Sequence, residues 1–71
     1  MEIRNEEQAR ECCEAWSVKS VKVQRSLLLQ AKESLELGQL YYENKDNQAG
    51  VQRLGNCITL LQSRLKDLDE E

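Results

Sequence analysis

The chain has 71 residues, and its ten basic and thirteen acidic side chains give a net charge of −3 and a pI near 5.0. This length allows one small domain, and a core of that size is usually marginal without a disulfide, a metal or a partner chain. The acidic balance disfavours a whole-domain nucleic-acid binder, since such domains are normally basic. Charged residues make up 32% and proline is absent, a composition typical of solvated helices.

The sequence predicts neither a bilayer span nor a secretion signal. No apolar run approaches the roughly 20 residues that span a bilayer, and the N-terminus lacks the basic-then-apolar order of a signal peptide. Cys12, Cys13 and Cys57 are an odd number of thiols, whereas small secreted domains normally pair theirs. We therefore expect a soluble, cytoplasmic protein with reduced cysteines.

The first predicted helix covers residues 5–16. Asn5 is the expected N-cap, and Gln8 follows three positions later in a capping-box-like start. Ala9, one of the adjacent cysteines and Trp16 form the apolar face of this helix. We interpret the tryptophan first as a packing anchor, because large aromatics are usually buried.

Residues 17–23 leave two architectures open. This segment contains three valines and two serines, which lower its helix propensity. Either residues 5–43 form one continuous rod, or the helix breaks at a serine and the first helix folds back into a three-helix bundle. Charge favours the bundle modestly, since residues 1–16 carry −3 and residues 17–32 carry +4, so an acidic helix could lie antiparallel on a basic one.

Two apolar seams dominate the rest of the chain. Residues 20–43 repeat apolar side chains every seven positions, and residues 47–68 place them at alternating steps of three and four. The polar turn between them is short enough to make the two helices antiparallel neighbours. The sequence thus predicts an all-α fold over residues 1–71, an antiparallel helical hairpin with a short N-terminal helix. The predicted core contains Val21, Leu28, Ala31, Leu35, Tyr42, Val51, Leu54, Ile58, Leu61 and Leu65.

The hairpin register follows from the same seams. Pairing Leu35 with Ile58 places Gly38 opposite Gly55. A glycine inside a helix costs about 1 kcal/mol relative to alanine, and two facing glycines would let the backbones approach closely. We therefore expect these glycines to meet across the hairpin.

The central helix carries more apolar surface than one seam requires. Three consecutive leucines at positions 27–29 cover about 200° of the helix circumference, so one neighbouring helix cannot bury all of them. These surplus side chains are the candidate partner-binding residues. They are Trp16, Leu27, Leu29, Leu37, Leu40 and Tyr41.

No pattern predicts catalysis or cofactor binding. The chain lacks histidine and a glycine-rich phosphate loop, and its carboxylates are scattered among basic residues. Cys12 and Cys13 diverge by about 100° on a helix, so they cannot both bind one metal ion, and together with Cys57 they still lack a fourth soft ligand. We expect no enzyme activity, no cofactor and no metal site.

Residues 37–49, followed by Leu54 and Ile58, resemble one tetratricopeptide-type hairpin. The resemblance lies in a leucine–glycine pair, a tyrosine, a turn with aspartate and a following alanine. The stretch is also similar to the first hairpin of microtubule-interacting-and-transport domains. In size and pattern the whole chain resembles the small co-chaperones of type III secretion needle subunits, which implies a heterodimerising protein.

These observations predict a non-enzymatic protein–protein interaction module, an adaptor or scaffold that acts through helix–helix packing. Its partner would be another protein or a second copy of itself. One alternative is a small heterodimerising co-chaperone of a secretion or assembly system. Another is a regulatory nucleic-acid binder using the basic residues of segment 19–32, namely Lys19, Lys22, Arg25 and Lys32.

Overall fold

The computed structural model describes residues 3–70, so positions 1–2 and 71 of the predicted domain lie outside the described residues. Within that range the chain forms three helices, α1 (Glu6–Trp16), α2 (Val21–Asn44) and α3 (Gln48–Asp69). Helices α2 and α3 form an antiparallel hairpin, and α1 is a short N-terminal helix, which confirms the predicted all-α fold. The chain breaks after α1, so the bundle is observed and the single rod is not.

Short polar side chains set the ends of α1 and the start of α2. The Asn5 Oδ1 accepts a hydrogen bond of 2.9 Å from the Gln8 backbone N–H, which confirms the predicted N-cap. Ser17 follows the last residue of α1, and its hydroxyl donates to a carbonyl of that helix at 2.6 Å. Ser20 begins α2 by accepting from the Val23 N–H at 3.2 Å. Ser17 therefore ends α1 and Ser20 begins α2, so that each serine forms one side of the break.

Helix α1 packs against α3 and not, as charge suggested, against the basic part of α2. Near its start, the Arg53 Nε donates to the Arg4 carbonyl at 3.0 Å, and further along α1 Cys13 lies close to Arg64. Helix α1 therefore runs in the same direction as α3. Exposed ion pairs are worth only ~0–1 kcal/mol, so the burial of apolar residues such as Ala9 decides where α1 docks.

The turn between α2 and α3 closes one helix and opens the next within a few residues. Asp46 adopts a left-handed φ of 55°, and its N–H donates to the Glu43 carbonyl at 3.1 Å. The Asn47 N–H donates to the Tyr42 carbonyl at 2.9 Å, which completes the paired bonds of a Schellman ending. Asn47 then caps α3 by accepting from the Gly50 N–H at 2.9 Å. This turn makes α2 and α3 antiparallel neighbours.

The core lies along the hairpin seam and extends under α1. Its buried apolar residues are Ile3, Ala9, Cys12, Leu28, Leu35, Leu54, Cys57, Ile58, Leu61 and Leu68. Five of the predicted core residues are in this group, and Ala31, Tyr42 and Leu65 pack partly buried against it. Val51 is also half-buried. Ile3, the α1 residues, Cys57 and Leu68 were not in the predicted core.

The assignment of Val21 to the core is wrong, because this side chain is 37% exposed. The Arg25 Nη2 contacts the Asp69 Oδ1 at 2.7 Å, so the last turn of α3 lies level with Arg25. Val21 stands one turn before Arg25 and therefore has no residue of α3 opposite it.

Gln24 is the buried polar residue at this end of α2. Its Nε2 donates to the Lys19 carbonyl at 2.8 Å, and its Oε1 accepts from the Arg64 Nη2 at 3.2 Å. One amide thus joins the α1–α2 turn to α3. A buried amide is stable only when its polar atoms have partners, and here both have one.

The predicted contact between the two glycines of the seam is wrong in detail. A Cβ added to Gly38 would lie 2.7 Å from the Leu54 Cδ1, and one added to Gly55 would lie 3.1 Å from the Gln39 Nε2. The predicted register is therefore correct to within one residue, since Leu54 precedes Gly55 and Gln39 follows Gly38. Each glycine, however, makes room for a side chain of the opposite helix and not for the other glycine.

Candidate protein interaction surface

The outward side of α2 carries several large apolar side chains that the fold leaves in solvent. Leu37, Tyr41, Leu40 and Leu29 are 63%, 58%, 56% and 49% exposed. Val23, nearer the start of α2, is 43% exposed. Four of these five residues are candidate partner-binding residues from the sequence, and the hairpin buries none of them.

The other two candidates, Trp16 and Leu27, lie at the opening between α1 and α2. Trp16 packs against the core without being fully covered, and Leu27 is half-buried. Together with Gln30, Ala31 and Ser34, they line an open recess of about 210 Å³. The recess exists because α1 docks on α3 and does not close over this side of α2.

A second recess, of about 220 Å³, continues from the first toward the end of α2. It lies beside the N-terminal residues Ile3 and Arg4 and shares Ala31 and Ser34 with the first recess. Gly38 also lines it. The two recesses form one groove along α2, bounded by Trp16 at one end and by Ile3 and Arg4 at the other, and the small residues of α2 form its floor.

One row of α2 residues runs along this groove at alternating steps of four and three, and its middle members line the first recess. We call this row the front stripe, and it comprises Val23, Leu27, Gln30, Ser34, Leu37 and Tyr41. Such spacing keeps residues on one side of a helix. Leu29 and Leu40 stand eleven residues apart and so lie together on another side of α2, where Leu40 is next to Leu37.

Sequence reasoning identified the large members of this surface but missed its small and polar ones. Ala31 was assigned to the core, and Ser34, Gln30 and Val23 were not among the candidate residues. The four–three spacing of the front stripe could have been read from the sequence. The groove could not have been predicted, because it depends on where α1 docks.

The charges of α2 are divided between its two halves. The first half, residues 21–32, contains Lys22, Arg25 and Lys32 and no acid, while residues 33–44 contain only acids, Glu33, Glu36 and Glu43. Two ion pairs join described residues of known partners, Arg25 with Asp69 and Arg10 with Glu6. Because Arg25 is bonded to α3 and Lys32 is half-buried, the basic stretch does not form one free patch.

Two tyrosines end the surface at the turn. The rings of Tyr41 and Tyr42 meet edge to face with centroids 5.5 Å apart. The Lys45 Nζ lies 5.8 Å from the Tyr41 ring, and the Arg53 guanidinium lies 5.6 Å from the Tyr42 ring and donates to its hydroxyl at 3.3 Å. Tyr42 is thus held from both sides, while Tyr41 presents its outer face to solvent.

The three cysteines are free thiols, two buried and one half-buried. Burial raises the pKa of each thiol, Cys12, Cys13 and Cys57, above its ordinary value. A thiol must lose its proton to act as a nucleophile or metal ligand, so these groups are weak in both roles at neutral pH. Over residues 3–70, no three cysteine or carboxylate side chains come together as a metal site would require.

Comparison with known proteins adds no family: no family model, curated protein or solved structure matches the chain significantly. None of the helices within residues 3–70 has the length and apolar character needed to cross a bilayer.

Proposed function

We propose that this protein is a non-enzymatic protein–protein interaction module that works by helix–helix packing. The observation that carries the proposal is the exposure of Leu37, Leu40 and Tyr41 on one helix whose core contacts are already complete without them. Single exposed apolar residues are common on proteins, but contiguous ones mark interaction sites. Exposing these apolar side chains to water is unfavourable in free energy, and a partner that buried them would remove this cost.

The shape of the surface favours a helix as the partner's binding element. The front stripe has the four–three spacing through which helices pack, and the adjoining groove has a floor of small residues such as Ala31 and Ser34. Large side chains of an incoming helix could enter above these residues.

The two alternatives from the sequence have less support. Nucleic-acid binding through residues 19–32 would need free basic side chains, but Arg25 is paired with Asp69 and Lys32 is half-buried. A co-chaperone role is the same helix-packing activity with a specific client. It differs from an adaptor in the partner and not in the surface used.

The test is in-cell cross-linking with a surface variant and a charge-matched control. Leu37→Glu combined with Tyr41→Glu places two carboxylates on the stripe, while Gln52→Glu combined with Gln62→Glu places two on the exposed side of α3. We expect the first variant to lose protein cross-links that wild type and the control keep, with the same helical circular dichroism. An identical set of cross-links in all three proteins would refute the proposed function.

A further inference from the structure

We propose that α1 is a flap on the hairpin and that modification of a buried thiol holds this flap open. The three cysteines of the chain all lie where α1 docks, Cys12 and Cys13 on α1 and Cys57 on α3. A small-molecule disulfide reacts with the buried thiols while α1 is undocked, and the adduct then prevents α1 from docking again. This device does not rest on the proposed function.

Cys57 lies on the side of α3 that faces α1. The Arg53 Nε donates to a backbone carbonyl just before α1, and Arg64 lies close to Cys13 near the end of α1. Cys57 stands four residues after Arg53 and seven before Arg64, so the helical period places it on the same side of α3 as both arginines. Burial first, and then the carboxylate of Glu6 on α1, raise the pKa of its thiol.

The two inward thiols have no room for an added group. Cys12 and Cys57 are completely buried, as is Ala9 on the same side of α1. Side chains this small let α1 lie close against the hairpin, and an interior packed to this density does not accept a group as large as a tripeptide. Cys13 is only half-buried, so an adduct on its sulfur can extend into solvent.

The docked thiols are not placed to form a disulfide with one another. Since Arg53 bonds the Arg4 carbonyl, Cys57 lies level with residue 8, four residues before Cys12. Their sulfurs are therefore separated by about 6 Å along the axes in addition to the distance between the helices, whereas a disulfide needs Cα atoms within about 7 Å. Cys12 and its neighbour in sequence diverge by about 100° on the helix. The modifying group therefore comes from solution.

Helix α1 can leave without opening the seam of the hairpin. It packs on α3, while α2 and α3 hold each other through large side chains of their own, among them Leu28, Leu35 and Leu54. Residues 17–20 join α1 to α2, and Val18 in this segment is 89% exposed. An eleven-residue helix is too short to be stable alone in water, so α1 unfolds when it undocks. The opening is a local unfolding of α1.

This opening must precede the reaction of the buried thiols. The thiolate is the reactive form, and burial raises the pKa of Cys12 and of Cys57 while α1 is docked. In the open state the thiol gives its proton to solvent, and the thiolate attacks one sulfur of the small-molecule disulfide. A new S–S bond joins the protein to that sulfur, the original S–S bond breaks, and the other half leaves as a thiolate. The protein sulfur is oxidised and the leaving half is reduced, so excess thiol reverses the exchange.

Undocking removes both ends of the groove along α2. Trp16 bounds the groove at one end, and Ile3 and Arg4 bound it at the other. All three residues belong to the segment that leaves the hairpin. The modified protein therefore keeps the front stripe but loses the groove beside it.

Alkylation of native wild-type protein by iodoacetamide tests the opening, with tandem mass spectrometry to separate the adjacent cysteines. We expect Cys12 and Cys57 to react at rates that agree within about threefold, because one opening exposes both, and at least about tenfold more slowly than Cys13. Urea should raise these two rates less steeply than it promotes global unfolding. Unequal rates, or rates that follow global unfolding, would overturn the flap.

Glutathione disulfide tests the trapped state in two variants. Cys13→Ser keeps the buried thiols, and Cys12→Ala combined with Cys57→Ala keeps only the half-buried one. We expect the adduct on the first variant to remove hydrogen-exchange protection from α1 alone, together with about a fifth of the helical circular dichroism, which is the share of α1 among the helices. Excess dithiothreitol should restore both signals, and the adduct on the second variant should change neither.

Four results would overturn the proposal. They are buried thiols that take up no adduct, an adduct that leaves α1 protected, an adduct that also removes protection from α2 and α3, and an equal loss of protection in the two variants.

Discussion

Replacing Gly50 by alanine should destabilise the fold, although the same change at Gly55 should not. An alanine Cβ at Gly50 would lie 2.6, 2.7 and 2.9 Å from three carbons of the Tyr42 ring, distances at which the ring must move. The ring has little freedom to retreat, because Arg53 lies over one part of it and bonds its hydroxyl, while Tyr41 meets it edge to face. Moving it separates α2 from α3 at the turn.

Two opposing effects set the magnitude. Alanine in place of a helical glycine stabilises by about 0.5–1 kcal/mol, and overpacking a filled site costs about 1–3 kcal/mol. For Gly50→Ala the cost is larger, and we expect a net loss of about 1–2 kcal/mol. At Gly55 the nearest atom is the Gln39 Nε2 at 3.1 Å, the end of a flexible side chain, so we expect a change between zero and a gain of about 0.5 kcal/mol.

Urea unfolding followed by far-UV circular dichroism measures both changes at one low protein concentration. A double-mutant cycle makes the test specific, since Tyr42→Leu removes the ring and should reduce the loss caused by Gly50→Ala. The reasoning is refuted if Gly50→Ala is as stable as wild type, or if its loss is the same with and without the tyrosine ring.

Other predictions concern the turn, the buried amide and the thiols. Asp46→Gly should raise the urea midpoint and add about 0.5–1 kcal/mol, because glycine adopts the left-handed φ of 55° without strain, whereas Asp46→Ala should not. Gln24→Leu should lower stability by about 1–3 kcal/mol and speed hydrogen exchange in the α1–α2 turn, since the Lys19 carbonyl and the Arg64 guanidinium lose their partner; unchanged exchange would contradict this role. Burial raises the pKa of the Cys57 thiol, so as pH rises the unfolded chain loses this proton before the folded chain does. The contribution of the protonated thiol to stability is therefore full below the ordinary pKa and is lost as pH rises through the folded-state pKa. Urea midpoints of wild type should therefore fall between about pH 8 and pH 10, and Cys57→Ala should show a smaller fall.

The hairpin could be predicted because its signals are local. The four–three spacing of Leu54, Ile58 and Leu61 fixes one side of α3, and Asn5 and Ser20 begin their helices as short polar residues do. Such patterns depend on a few neighbouring residues and not on the rest of the chain.

The position of α1 could not be predicted, because the residues that decide it give little signal. Ala9 and Cys12 are small, and both are completely buried against the hairpin. Charge was the visible signal, but exposed charges are weak compared with burial. The exposure of Val21 was missed for a similar reason, since it depends on where α3 ends relative to α2.

The candidate surface was predicted in part. Leu37, Leu40 and Tyr41 are surplus to any single seam, which the sequence alone reveals, and the structure leaves all three exposed. The groove beside them is a consequence of α1 docking on α3. Its floor at Ala31 and Ser34 could be found only after that position was known.

Two arginines of α3, neither of which lines this groove, hold segments next to it. Arg53 bonds the Arg4 carbonyl just before α1, and Arg64 bonds Gln24 in the first turns of α2. The two arginines stand eleven residues apart, about three helical turns, and so project from the same side of α3. They tie two separate segments, the residues before α1 and the first part of α2, to one helix. A substitution at either arginine would therefore release one of these segments while leaving every residue of the front stripe in place.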